Sequence, residues 1–100
     1  MSERVISHLI VKGRVQGVGY RAFVEHEAQR RQLEGWVRNR RDGSVEIVVA
    51  GAPSAVEYFI DACRRGPFAA RVSEIDQREG TADDLSMRRG NEAFSVLPTL

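Results

Sequence analysis

The residues best suited to chemistry lie in a glycine-rich stretch near the N-terminus. Residues 13–21 read GRVQGVGYR, between an apolar strand-like run and a helix-like run that begins at Tyr20. Glycines allow a tight turn and a close approach to a ligand, because no Cβ stands in the way. Amides exposed in such a turn, beside the free N–H groups of a helix start, bind anions, and the planar donor fork of Arg21 suits phosphate. The stretch therefore predicts an oxyanion cradle with one arginine.

The common phosphate-binding motifs do not fit this stretch. A Walker loop ends in Gly-Lys-Ser/Thr, and a dinucleotide fingerprint needs G-x-G-x-x-G in a longer doubly wound chain. The glycines are also explained by a sharp strand-to-helix turn that binds nothing. Phosphate binding therefore depends on a second group near the loop.

Length and composition limit the class of protein. The 100 residues suit one domain (1–100, core about 5–97), and 42% apolar with 29% charged residues is ordinary for a globular protein. A net charge of +1 gives no field that would indicate a nucleic acid or membrane partner. Cys63 is the only cysteine, which excludes an internal disulfide and a multi-cysteine metal site. Since no apolar signal core or membrane-length run is present, we expect a cytoplasmic protein. We also expect it to be a monomer.

Periodicity predicts four main strands, two helices and a short last strand. In chain order these are strand 5–12, helix 20–31, strands 33–39 and 44–50 joined at Asp42-Gly43, helix 53–65, a strand within 68–78, a mobile polar loop at about 79–92, and a strand at 94–97.

This order is typical of an α+β, ferredoxin-like two-layer sandwich with two helices on one face of an antiparallel sheet. We expect the strand order 4-1-3-2 plus a short C-terminal edge strand. A right-handed crossover makes the first two strands parallel and non-adjacent, so their carboxyl ends emerge at one edge. The glycine loop follows the first strand and Asn39 ends the second. Topology therefore predicts Arg21, the loop amides and Asn39 around one small site.

Two stretches of the chain resemble the signatures of the acylphosphatase family. Residues 13–21 are similar to the first, residues 35–46 (GWVRNRRDGSVE) are similar to the second, and weaker agreement covers roughly 5–97. The resemblance implies hydrolysis of small acyl phosphates to a carboxylate and inorganic phosphate, without metal or cofactor. It implies that Asn39 holds the attacking water. The implied phosphate-binding residues are Arg21 and, through their amides, Val15, Gln16, Gly17, Val18, Gly19 and Tyr20.

Hydrolysis of an acyl phosphate needs no more groups than this arginine, the loop amides and the asparagine. A carboxylate leaves easily, since its conjugate acid has a pKa of about 4, so no general acid is needed. A loose phosphoryl-transfer transition state asks mainly for positioning and charge stabilisation. A neutral asparagine can accept a hydrogen bond from water, whereas a carboxylate at position 39 would repel phosphate. The proton acceptor stays open, with a phosphoryl oxygen of the substrate as one hypothesis.

The chain departs from the family pattern at two places. Arg31-Gln32 stands where the family usually has Leu-Gly, so Gln32 is expected in a left-handed cap or in a rearranged one. Arg40 replaces a small hydroxyl residue. With Arg38 and Arg41 it forms a basic cluster that is either a solvated hairpin tip or an attraction for anionic substrates.

Other reactive side chains have structural explanations. We expect His8 and His26 at the surface and Cys63 buried on the apolar stripe of the second helix. Three carboxylates are expected in a turn or on a solvent face, namely Asp42, Glu46 and Glu57.

Two other functions stay open at this point. An RNA-binding module shares the fold but needs exposed aromatics on the central strands, and residues 44–50 contain none. A non-catalytic anion-binding domain, or one serving carbamoyl phosphate within a maturation system, would use the same cradle.

Overall fold

The structure, a computed structural model, describes residues 3–100 as five strands and three helices. In chain order these are β1 (Val5–Arg14), α1 (Tyr20–Arg30), β2 (Glu34–Asn39), β3 (Val45–Gly51), α2 (Pro53–Arg65), β4 (Arg71–Glu79), α3 (Ala82–Leu85) and β5 (Phe94–Val96).

The sheet brings the ends of β1 and β2 to one edge, as predicted. Its order is β4-β1-β3-β2-β5, and β3 pairs antiparallel with both β1 and β2. The strands β1 and β2 are therefore parallel and separated by β3, which confirms the ferredoxin-like order. The edge strand β5 pairs parallel with β2, from Gly35↔Phe94 to Val37↔Val96, so the sheet is mixed there rather than wholly antiparallel.

The main core lies between the sheet and the pair α1 and α2. Alternate strand residues point to this face, because side chains in a strand alternate between the two sides of the sheet. Val56, Phe59, Ile60 and Cys63 of α2 meet them at helical spacing. The buried strand residues on this face include Leu9, Val11, Val37, Val45, Ile47 and Val49.

Residues 79–92, which the sequence predicted to be a mobile polar loop, instead help to cover the other face of the sheet. That segment includes the end of β4 and the short helix α3, which begins with a capping box between Thr81 and Asp84. The Trp36 indole N–H donates to the Asp84 carbonyl at 2.7 Å. Leu85 and Leu97 pack with Trp36, Val48 and Ala50 into a second buried cluster.

The prediction that His8 and Glu46 face solvent is wrong, because this cover buries both of them. The His8 ring Nε2 lies 2.7 Å from Glu46 Oε2, and the two side chains are 8% and 9% exposed. Arg38 Nε donates to Glu46 Oε1 at 2.8 Å, and its guanidinium lies 4.8 Å from the Trp36 ring centroid. Burial alone would raise the pKa of Glu46, but hydrogen bonds from His8 and Arg38 lower it. His26 is exposed, as expected.

Gln32 takes the left-handed conformation expected at the end of α1, with φ 57°. The Gln32 N–H donates to the Gln29 carbonyl at 3.0 Å, and the Leu33 N–H donates to the Ala28 carbonyl at 2.9 Å. These two bonds form a Schellman cap that usually has glycine at this position. The neighbouring Arg31 pairs with the buried Glu27.

Candidate active site

The glycine loop leaves its amides unused by the protein. Residues 16–19 form bends between β1 and α1, and within residues 3–100 no acceptor is bonded to the N–H groups of 16–20. Gly17 and Gly19 have φ 73° and 79°, which L side chains rarely adopt. A Cβ at either position would meet nothing within 4 Å, so the space above the loop is open. The loop therefore offers a concave row of donors to an anion.

The N-terminus of α1 adds to this positive site. Gly19 is the N-cap residue, with no side-chain cap and no acidic residue in the first turn. The first helical hydrogen bond runs from the Phe23 N–H to the Gly19 carbonyl at 3.1 Å. The amides before Phe23 therefore lack helical acceptors and favour a bound anion. Arg21 is half-buried here and forms no ion pair with any residue from 3 to 100.

Tyr20 anchors the loop to the core. Its ring is buried, and its hydroxyl donates to the Cys63 carbonyl at 2.7 Å. Burial raises the pKa of the Tyr20 phenol well above its ordinary value, and it raises the pKa of the Cys63 thiol to about 12. Both groups stay protonated, so they are structural. Cys63 is buried, as the sequence predicted.

Asn39 brings an unused acceptor to the same place. Its side-chain oxygen Oδ1 is buried and has no hydrogen-bond partner among the described residues. Asn39 is the last residue of β2 and pairs with Val45 of β3. Its backbone carbonyl accepts a hydrogen bond from the Leu100 N–H at 3.1 Å. Since a buried polar atom without a partner is costly, this oxygen is suited to a bound water or ligand.

The hairpin after Asn39 is held by its turn residues and by the glycine loop. Asp42 Oδ1 accepts from the N–H and hydroxyl of Ser44 at 2.9 and 2.6 Å. The hydrogen bonds from Ser44 lower the pKa of the exposed Asp42 carboxyl. The Gln16 side-chain amide donates to the carbonyls of Arg40 and Ser44 at 2.7 and 2.8 Å. Gln16 therefore ties the cradle to the hairpin that carries Asn39.

One cavity of about 340 Å³ collects these groups, which is at the small end of the range for ligand sites. Of the predicted site residues, it is lined by Val15, Gln16, Gly17, Gly19, Tyr20, Arg21 and Asn39. The side chain of Val18 packs against the core instead. A larger cavity of about 580 Å³ lies at the opposite edge of the sheet, between residues 4–7 and 77–80, and contains none of the predicted site residues.

Sequence reasoning missed three lining residues, namely Ala22, Glu25 and Val96. Glu25 was detectable, because it lies four residues after Arg21 and so on the same side of the helix. Val96 was not detectable, since β5 reaches the site only through its pairing with β2.

The basic cluster is divided between the far face of the sheet and the hairpin after β2. Arg38 points to the far face and pairs with Glu46, because neighbouring residues of a strand face opposite ways. Arg40 and Arg41 stay at the hairpin and form no ion pair within the described chain. Neither Arg40 nor Arg41 lines the cavity, so the basic cluster contributes no side chain to its wall.

Within residues 3–100, no helix has the length and hydropathy needed to cross a bilayer. No group of three or more His, Cys, Asp or Glu side chains there is arranged to hold a metal ion.

Comparison with known proteins gives one family. The family model for acylphosphatase matches residues 7–89. An acylphosphatase of Rhodopseudomonas palustris (strain BisB18) is 57% identical over 96% of this chain and 97% of its own length. The crystal structure of acylphosphatase from Bacillus subtilis gives a TM-score of 0.81 at 40% identity, over 93% of this chain and 98% of that chain. Full-length HypF, in a phosphate- and nucleotide-bound form, gives a TM-score of 0.84 at 27% identity over 99% of this chain but 12% of HypF.

Proposed function

Because the chain belongs to the acylphosphatase family and is an enzyme that hydrolyses acyl phosphates, we propose how its residues divide the reaction. Arg21 and the amides of residues 15–20 bind the phosphoryl group. Asn39 orients the water that attacks phosphorus directly, and the carboxylate leaves without a general acid. The buried, unpartnered Asn39 Oδ1 in the cavity of the free amides carries this proposal.

The phosphoryl half of the site is supported by unused donors. The amides of 16–20 and the guanidinium of Arg21 have no protein partner within residues 3–100, so binding a phosphoryl group breaks no existing hydrogen bond. Donors fixed in the folded backbone need little reorganisation as negative charge shifts during the reaction. The cradle is therefore preorganised for the transition state.

The water half of the site is supported by the chemistry of an amide. The Asn39 oxygen accepts one hydrogen bond from the water and aims a water lone pair at phosphorus. The water oxygen bonds to phosphorus, the bond from phosphorus to the acyl oxygen breaks, and its electron pair leaves on the carboxylate. The water proton passes to a phosphoryl oxygen. No metal or cofactor takes part in this scheme.

The substrate class and setting follow the same reasoning. The small, open cavity suits small acyl phosphates with varied acyl groups. We propose a cytoplasmic monomer, since the single cysteine is free and buried and therefore forms no disulfide within the chain or between copies. We propose no nucleic-acid partner, because Trp36 on the sheet is buried rather than exposed for stacking.

The test is hydrolysis of benzoyl phosphate, followed by loss of absorbance with a chelator present. Arg21→Ala should raise KM and the inhibition constant for inorganic phosphate by roughly 10²-fold and also lower kcat, since it removes charged hydrogen bonds. Asn39→Ala should lower kcat by roughly 10²-fold with little change in KM, since it removes only the orientation of water.

Matched controls are Arg89→Ala and Asn91→Ala, which change the same residue types on the exposed segment before β5. Both controls should keep wild-type constants. Wild-type turnover in Asn39→Ala would disprove the water-holding role, and activity lost on chelation would disprove the metal-free scheme.

A further inference from the structure

Glu25 lines the cavity beside the cradle without a structural role of its own. It is half-buried on α1, four residues after Arg21, so the two side chains extend from the same side of the helix. Side chains on a helix lean toward its N-terminus, which directs Glu25 toward the cradle. Within the described part of the chain, its carboxylate forms no ion pair and no hydrogen bond. By contrast, Glu27 on the same helix is paired with Arg31.

Glu25 belongs to the part of the cavity wall that neither the glycine loop nor Asn39 supplies. The glycine loop, Arg21 and Asn39, whose buried oxygen has no partner among the described residues, account for most of the cavity lining. The remaining wall consists of Ala22, Glu25 and Val96. Two members of this wall are apolar, and Glu25 is its single ionisable group.

We propose that Glu25 determines specificity for the acyl group by charge. Resting on the proposed cradle for the phosphoryl group, this assigns the wall of Ala22, Glu25 and Val96 to the acyl group. An acyl group that bears a carboxylate is repelled by Glu25, a neutral acyl group is accepted on Ala22 and Val96, and an acyl group that bears an ammonium is attracted. The enzyme therefore prefers neutral and amine-bearing acyl phosphates over anionic ones.

The experiment compares three rigid substrates whose charge is fixed at one position. These are benzoyl phosphate, 4-carboxybenzoyl phosphate and 4-(aminomethyl)benzoyl phosphate. The readout is the ratio of kcat/KM between charged and neutral substrates, because removal of a negative charge beside the cavity favours every anionic substrate. Intrinsic differences between the leaving groups cancel when the ratio in a variant is divided by the ratio in the wild type.

Glu25→Gln keeps the size of the side chain and should raise the relative kcat/KM for the carboxylate substrate about five-fold. That is the effect of two unit charges roughly 8 Å apart at a partly solvated site. The relative kcat/KM for the ammonium substrate should fall by a similar factor. Glu25→Lys should reverse the order of the two charged substrates, and added salt should reduce all of these differences.

Glu57→Gln is the matched control, since Glu57 is exposed on α2 and lines a different cavity. Its ratios should equal those of the wild type. Unchanged ratios in Glu25→Gln, or equal changes in Glu57→Gln, would overturn the assignment. If Arg21→Ala and Asn39→Ala lose activity while the Glu25→Gln ratios are unchanged, only the acyl assignment fails. If both of those variants keep full turnover, the site itself is misplaced and both proposals fail.

Discussion

Replacing the Gln16 side chain should weaken the link between the glycine loop and the hairpin without removing Arg21, Asn39 or any loop amide. Its side-chain amide donates to the carbonyls of Arg40 and Ser44 at 2.7 and 2.8 Å. These are the side-chain hydrogen bonds between the glycine loop and the hairpin among the described residues. Gln16→Ala removes both of them, and we expect the distance from the bound phosphorus to the water on Asn39 to fluctuate more.

The structure sets the size of the effect. Both carbonyls keep a backbone donor, the Gly43 N–H to Arg40 at 3.1 Å and the Arg40 N–H to Ser44 at 2.9 Å. Neither is left without a partner, so the loss of unfolding free energy should be about 1–2 kcal/mol, or about 1 kcal/mol for each bond. Asn39 stays in register with Val45. A displacement of about 1 Å in a positioning group lowers the rate roughly 10²-fold. Without Gln16, Asn39 stays in its strand register but is held less firmly, so kcat should fall roughly ten-fold.

Thermal unfolding and benzoyl phosphate kinetics measure the two effects separately. The melting temperature should fall by roughly 4–8 °C for each kcal/mol, and kcat should fall more than KM rises. Gln16→Glu should lose more activity, because a carboxylate would face two carbonyls and the substrate phosphate. Gln29→Ala, at an exposed position of α1, is the control and should behave as wild type. Unchanged kcat and melting temperature in Gln16→Ala would refute the coupling.

Gln32→Gly should raise the unfolding free energy by about 1 kcal/mol, since φ is 57° at this position and glycine adopts that conformation without steric cost. The control Gln29→Gly, inside α1, should lower the unfolding free energy. A melting temperature of Gln32→Gly at or below that of the wild type would contradict this prediction. The Glu46 carboxyl has a lowered pKa in the folded state, so its stabilising contribution is present above the ordinary value of 4.5 and is lost as pH falls through the lowered pKa. Glu46→Gln should therefore be less stable than wild type near neutral pH, and urea unfolding should show this difference shrinking in acid; a pH-independent difference would count against the pairing with His8 and Arg38.

The sequence predicted most of the fold because its signals are local. The apolar alternation of β1 and β3, the helical spacing in α2 and the turn at Asp42-Gly43 each depend on neighbours within a few residues. The predicted element ends lie close to those in the structure, and the strand order follows from the handedness of the crossovers. The position of Asn39 beside the cradle was predictable for the same reason.

The errors lie on the far face of the sheet, where distant parts of the chain meet. His8 and Glu46 alternate with apolar residues, which normally indicates a solvated face. They are buried because α3 and Leu97 return to that face from the end of the chain. The capping box of α3 was visible in the sequence as Thr81 followed by Asp84, but a helix of 4 residues is too short for periodicity to detect.

The sequence by itself therefore determined the cradle, the arginine, the asparagine and the topology that joins them, because residue type, glycine spacing and crossover handedness are properties of the chain. Only the tertiary structure decided which of these groups have no hydrogen-bond or ion-pair partner among the described residues. The free loop amides, the partnerless oxygen of Asn39 and the unpaired carboxylate of Glu25 can be recognised only when every nearby donor and acceptor is accounted for. That accounting depends on contacts between residues far apart in the chain, such as Gln16 with Ser44 and Tyr20 with Cys63, which no local pattern encodes.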